Sequence, residues 1–144
     1  MADRPIHASS VLIDGHVVLL AGRSGSGKSD LALRLIDRGA LLVADDYTLL
    51  EPRDGVLYAS APATIAGRIE VRGVGIADMA FAGEGPVALL VDLDAPPVRL
   101  PDEPLPTTEI RGIGIPTLAL AAFEASAPIK VEQALRLMHL SERP

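Results

Sequence analysis

Gly22-Arg-Ser-Gly-Ser-Gly-Lys-Ser29 is a complete G-x4-G-K-S stretch, and its setting decides the fold. The apolar run Val17–Ala21 comes directly before it, and a helix-patterned segment from Ser29 to Arg38 follows. A strand therefore delivers the loop and a helix leaves it, the context that separates a phosphate-binding loop from a chance Gly/Ser-rich turn. In such a loop the backbone of Gly22, Arg23, Ser24, Gly25, Ser26 and Gly27 curls its N–H groups around phosphate oxygens. The helix N-terminus adds partial positive charge. Lys28 reaches the β- and γ-phosphates, and the Ser29 hydroxyl ligates Mg2+. The stretch points to a nucleoside triphosphate but says nothing of the fate of its γ-phosphate.

Upstream, Ser9–Ile13 and His16–Ala21 are apolar runs parted by Asp14-Gly15, a dipeptide that supplies the positive φ angles of a two-residue hairpin turn. Downstream, Leu31, Leu35 and Arg38 share one side of the helix with Ala32 and Ile36 beside them, and Gly39 is its C-terminal stop. Leu41–Ala44 reads as a short buried strand ending in Asp45-Asp46. Tyr47–Glu51 and Val56–Ala59 read as a hairpin around Arg53-Asp54-Gly55. Residues 60–86, rich in Gly, Ala and Pro, read as loop with one short strand, and Val87–Asp92 as a buried strand ending in Asp. Five prolines between Asp94 and Pro106 predict an irregular excursion. Thr108–Arg111 and Ile113–Ile115 form a last hairpin through Gly112. Ser126 caps a final helix with Pro128 in its first turn and Val131, Leu135 and Met138 on its buried face. The expected class is α/β: a phosphate-loop, kinase-like domain with a mixed, hairpin-rich central sheet, few helices and a C-terminal helix. It is expected to span 1–144 as a single domain.

Composition narrows the function classes. Hydrophobic residues make up 49% of the chain but aromatics only 3%, so the core is aliphatic. A net charge of −6 argues against an extended nucleic-acid or anionic-membrane footprint, although a phosphate loop with its metal acts locally. The absence of cysteine excludes disulfides and thiolate–metal sites and fits a cytoplasmic address. No stretch approaches the ~18 consecutive apolar residues of a membrane span, and no secretory leader is recognised at Met1-Ala-Asp-Arg-Pro5.

Two acidic strand ends compete to complete the site: Asp45-Asp46 and Asp92. A phosphate-loop enzyme pairs its loop with such an Asp near Mg2+, and spacing alone does not choose between them. Side chains alternate across a strand, so Asp45 and Asp46 line one site only if the strand has ended before them. If both do, one carboxylate serves the metal and the other accepts a proton, since paired acids in different environments yield a general base. The alternative is a solvated strand end that turns the chain at Tyr47.

Gly22–Ser29, then Leu42-Val-Ala-Asp-Asp46, then Ile69-Glu-Val-Arg-Gly-Val-Gly-Ile76 together resemble the catalytic domain of HPr kinase/phosphorylase. These bacterial enzymes phosphorylate a serine on HPr, a small phosphocarrier of the sugar phosphotransferase system. The resemblance runs from about Ile6 to Ile76 and more weakly to Met138. It implies ATP and Mg2+ as cofactors, HPr as partner, a hexameric homo-oligomer, and the short α-proteobacterial form without an N-terminal regulatory domain. Asp46 matches the proton acceptor, with Asp45 beside it for Mg2+ or orientation. Lys28 matches the phosphate-loop lysine, Ser29 and Glu70 the Mg2+ ligands, and His7 a histidine near the reacting phosphate. Arg72 and Gly73–Gly75 fall in a segment used near the catalytic centre, and Arg99 matches a phosphate-contacting arginine. His16 and His139 have no counterpart and read as surface residues.

One departure stands out. The long form of the family carries a Pro-Val-Arg-Pro-Gly-Arg-Asn loop linked to phosphorylase activity, where this chain has Arg111-Gly-Ile-Gly-Ile-Pro-Thr117. Without those arginines, capture of attacking inorganic phosphate weakens, so kinase activity is expected to be retained and phosphorylase activity to be weak or lost. Two further readings stay open: a small-molecule kinase or plain NTPase, with 60–80 as its lid, and a non-catalytic ATP-sensing module.

Overall fold

A computed structural model describes residues 4–138 and 140. Asp14 and Gly15, at φ 48° and 80°, turn the chain between β1 (Ala8–Ile13) and β2 (His16–Ala21), which pair antiparallel. The Gly22–Ser29 stretch, read above as a phosphate-binding loop and called the phosphate loop below, leads from β2 into α1 (Lys28–Asp37). Gly39, at φ 112°, ends that helix by donating its N–H to the Ile36 carbonyl. Then come β3 (Leu41–Ala44), the hairpin β4 (Leu49–Arg53) and β5 (Val56–Ser60), and a second hairpin, β6 (Arg68–Val71) with β7 (Gly75–Asp78). The chain finishes with β8 (Gly85–Asp92), β9 (Thr107–Ile110), β10 (Ile113–Ala119) and α2 (Ala127–Leu137).

The main sheet is mixed, in the order β3-β1-β2-β8-β10-β9, with β5 joining the start of β8 and carrying β4. β2, β8 and β10 run parallel, so their C-terminal ends reach one edge together. β2 is buried on both faces, which is why it reads as an unbroken apolar run. Val18 and Leu20 face a core shared with Leu31, Leu35, Val131 and Leu135 of the two helices. Val17 and Leu19 face a second core closed by Leu50 and Leu57 of the β4–β5 hairpin. In β8, Val87 and Leu90 face the second core while Leu89 and Val91 face the first. An irregularity in its pairing with β2 causes this change of parity.

Several expectations shift. β4 starts at Leu49 rather than Tyr47, because Tyr47 lies outside the strand and Thr48 bridges to Ile6 instead of pairing with β5. The stretch read as loop with one strand holds both β6 and β7. β10 continues past Pro116 to Ala119: pairing with β8 begins only at Thr117, so the missing proline N–H breaks no bond on that side. Ser126 sits at the start of α2 without a side-chain capping bond. Glu132 lies on the buried side of α2, where it accepts hydrogen bonds from Arg38 at 2.8–3.1 Å. That bond, and then the carboxylate's charge, hold the Arg38 guanidinium above its usual pKa. His16 is half-buried at the first hairpin, and His139 lies outside the described residues. No helix among the described residues is long and apolar enough to cross a membrane.

Gly85, where β8 enters between the two cores, gives a test of this packing. A Cβ there would stand 2.8 Å from both Leu12 Cδ1 and Val17 Cγ2. Gly85→Ala is expected to destabilise the fold by about 1–3 kcal/mol, read as a lower urea midpoint at unchanged m-value.

Candidate active site

The phosphate loop is shaped by Gly25 and Gly27, at φ 85° and 98°, conformations that cost little only for glycine. Lys28 is buried and folds back over the loop, its Nζ donating to the carbonyls of Gly22 (2.8 Å) and Arg23 (3.1 Å). Ser29, in the first turn of α1, donates its hydroxyl to Asp45 Oδ1 at 2.5 Å.

Asp45 follows the last residue of β3 and is buried. Besides Ser29, it accepts the Ser9 hydroxyl on Oδ1 (3.0 Å) and the Glu70 backbone N–H on Oδ2 (2.9 Å). One carboxylate thus ties β1, α1 and β6 together. Asp46 adopts φ 67°, which swings its side chain away from its neighbour's, and its N–H donates to Ser9 Oγ at 2.9 Å. Asp46 Oδ1 lies 2.8 Å from His7 Nε2; a carboxylate only accepts, so the ring nitrogen carries the proton. The His7 ring in turn lies against Tyr47, with centroids 5.3 Å apart.

Asp92 plays another part. Its Oδ1 accepts the N–H groups of Asp94 (2.9 Å) and Ala95 (3.2 Å), capping the turn that leaves β8. Of the two candidate strand-end carboxylates, Asp45 is therefore the one that bonds Ser29 directly. The strand has ended, and the two carboxylates take different surroundings.

A cavity of about 390 Å³ is lined by Lys28, Ser29, Asp46, Glu70 and Arg72 among others. Glu70, within β6, turns outward while its neighbour Ile69 enters the core, and Arg72 follows, exposed, in the turn just past the strand. Arg99 does not join them: it is exposed on the segment after β8 and lines neither this cavity nor its neighbour beside the loop. Ser9 is the site residue that motif reasoning missed. The signal was present in two adjacent serines, Ser9 and Ser10, both fully buried in an otherwise apolar strand. Ser10 serves the fold, lying 3.0 Å from Thr48 Oγ1.

The family model for the HPr serine kinase C-terminal domain matches residues 1–88. The chain belongs to this family. Curated relatives of this HPr kinase family include the HPr kinase/phosphorylases of Clostridium botulinum (strain Eklund 17B / Type B), 43% identical over 74 residues, and of Geobacillus sp. (strain WCH70), 42% identical over 97. The matches cover 51% and 62% of this chain but only 24% and 31% of those proteins. Among solved structures, the Hpr(Ser) kinase/phosphatase from Coxiella burnetii superposes with a TM-score of 0.80 at 32% identity. That match covers 95% of this chain and 97% of the other. The HPr kinase fold therefore extends well beyond residue 88, through the part of the chain where sequence similarity is weaker.

Proposed function

We propose that this chain is an ATP- and Mg2+-dependent serine protein kinase whose acceptor is HPr, with phosphorylase activity weak or absent. One observation carries the reading: two adjacent carboxylates have divided surroundings. Asp45 is buried and accepts from Ser9, Ser29 and the Glu70 N–H, whereas the Asp46 side chain is 50% exposed beside the cavity. That exposure suits a hydroxyl delivered by another protein. Family membership supports HPr as its source.

The residues fit both cofactors. Ser29 Oγ and the Asp45 carboxylate meet at the loop with the exposed Glu70 carboxylate beside them, all hard oxygen donors. Among the described residues no group of three or more His, Asp or Glu gathers as a cage. Such a sparse set suits Mg2+, which keeps waters and takes phosphate oxygens. When bound, Mg2+ supplies neutralisation of phosphate charge. Lys28 Nζ, held over the loop by two carbonyls, exchanges them for phosphate oxygens. His7 holds Asp46 Oδ1, which leaves Oδ2 to accept the proton of the attacking serine hydroxyl.

Two features support transfer mainly from ATP to serine. Residues 111–117 form the β9–β10 turn and most of β10, and Leu120–Ser126, which approaches the phosphate loop, contains no cationic side chain. Orthophosphate-dependent release from phosphoserine-HPr is expected to be far slower than the forward reaction; comparable rates would overturn this part. Labelled ATP with purified HPr tests the whole. Serine labelling is expected, whereas free phosphate alone would mean an NTPase, and binding without turnover a sensing module. The exposed side chains of Val74, Ile76, Val98 and Leu100 support assembly into a homo-oligomer, which sedimentation velocity measures.

A further inference from the structure

A second cavity, of about 490 Å³, borders the phosphate loop at Arg23–Ser26, and its remaining walls have no part in the phosphotransfer chemistry described above. It opens between the loops that follow β8 and β10, where Leu93-Asp94 and Ala121–Glu124 stand beside Arg23–Ser26. These are the C-terminal ends of the three parallel strands, the edge at which open α/β sheets hold their ligands. Its volume falls within the usual range for small-molecule sites.

Phe123 is the distinctive wall. It is 69% exposed, although the whole chain contains only two Phe, two Tyr and no Trp. Its ring lines both cavities and so stands at their junction. It leans over the phosphate loop so closely that a Cβ on Gly27 would lie 3.0 Å from Cζ. The loop bearing it is fixed from below: Arg34 donates to the carbonyls of Ala122 and Glu124, and Lys130 pairs with the Glu124 carboxylate at 2.8 Å. On the opposite wall Asp94 accepts the Arg23 N–H at 3.0 Å, fixing the loop that follows β8 to the phosphate loop. Ser26 lines the same cavity with a buried Oγ that has no hydrogen-bond partner among the described residues.

We infer that this cavity is the nucleobase subsite, with the base stacked on Phe123 and the triphosphate passing into the neighbouring cavity at Lys28 and Ser29. The inference rests on the nucleotide-binding reading above and deepens it. A nucleoside triphosphate is apolar and planar at one end and densely anionic at the other. The two cavities match that division, an exposed aromatic face on one side and Lys28 with Arg72 on the other. Stacking on an exposed ring is tolerant of base identity. Selectivity here is therefore for the presence of a base rather than for one base.

Calorimetric titration of Mg2+-ATP and Mg2+-tripolyphosphate into the wild-type chain, Phe123→Ala and Phe123→Trp tests it. Phe123→Ala is expected to weaken ATP binding roughly tenfold or more while leaving tripolyphosphate binding unchanged, and Phe123→Trp to keep the ATP affinity. Unchanged ATP affinity in Phe123→Ala overturns the subsite, as does an equal loss for both ligands, which would mean a disturbed phosphate loop. If the wild-type chain binds ATP no better than tripolyphosphate, the subsite falls and the phosphate site stands. If it binds neither, the nucleotide reading itself falls.

Discussion

Asp46→Asn is expected to lower the rate of serine phosphorylation about 10²–10⁴-fold while leaving ATP affinity unchanged. Asparagine has nearly the size and shape of aspartate, and its amide oxygen can still accept the hydrogen bond that His7 Nε2 donates to Oδ1 at 2.8 Å. The left-handed backbone at this position, φ 67°, is also well tolerated by asparagine. What disappears is the capacity to take up a proton at the free oxygen. A His7→Ala variant gives the contrast. It keeps the carboxylate but removes its orienting partner, so a smaller loss is expected. Rapid-quench measurement of phosphoserine formation, beside equilibrium binding of ATP, separates the two effects. Transfer by Asp46→Asn at the wild-type rate would remove Asp46 from the role of base.

The elements that sequence made legible are those whose burial leaves a strong pattern. β2 lies between two cores and reads as continuous apolar residues, and the phosphate loop is marked by its own chemistry. The β6–β7 hairpin, by contrast, left little to read. β7 is largely exposed along Gly75-Ile-Ala-Asp78, and Ile69 is the one residue of β6 fully buried, so no alternation emerges. Pro116 disguised the length of β10, because whether a proline is tolerated depends on where a neighbouring strand begins to pair. The choice between Asp45 and Asp92 was equally beyond sequence. β3 is separated from β2 by β1, and it reaches the same edge only because β1 runs antiparallel to both. Spacing along the chain carries no trace of that order. Ser9 was overlooked for a related reason: its value lies in two partners, the Asp45 carboxylate and the Asp46 N–H, that only the folded sheet brings to it.

Asp45 is the position where stability and function should fall together. Its side chain accepts three hydrogen bonds in a buried setting, from the Ser9 and Ser29 hydroxyls and the Glu70 N–H. Bonds to a charged acceptor contribute about 1.5–3 kcal/mol each to stability, and orphaned donors add their own desolvation cost. The two hydroxyls can rotate toward other acceptors, but the Glu70 amide cannot. Asp45→Ala is therefore expected to cost about 2–4 kcal/mol in urea unfolding, near one such bond plus part of the orphaning penalty. Asp45→Asn distinguishes a structural loss from a chemical one. Its amide oxygen can accept from one side of the site only, so either the Glu70 N–H or the serine hydroxyls face an NH2 donor; a hydroxyl can turn and accept, a backbone N–H cannot. Asparagine should therefore settle with its oxygen toward Glu70 and recover most of the stability. It still lacks the negative charge that the proposed metal site needs beside Ser29. The expected pattern is near-wild-type unfolding together with a higher Mg2+ requirement for tight ATP binding. An Asp45→Asn chain that binds Mg2+-ATP like the wild type would make Asp45 a structural tie alone and leave Ser29 and Glu70 to hold the metal.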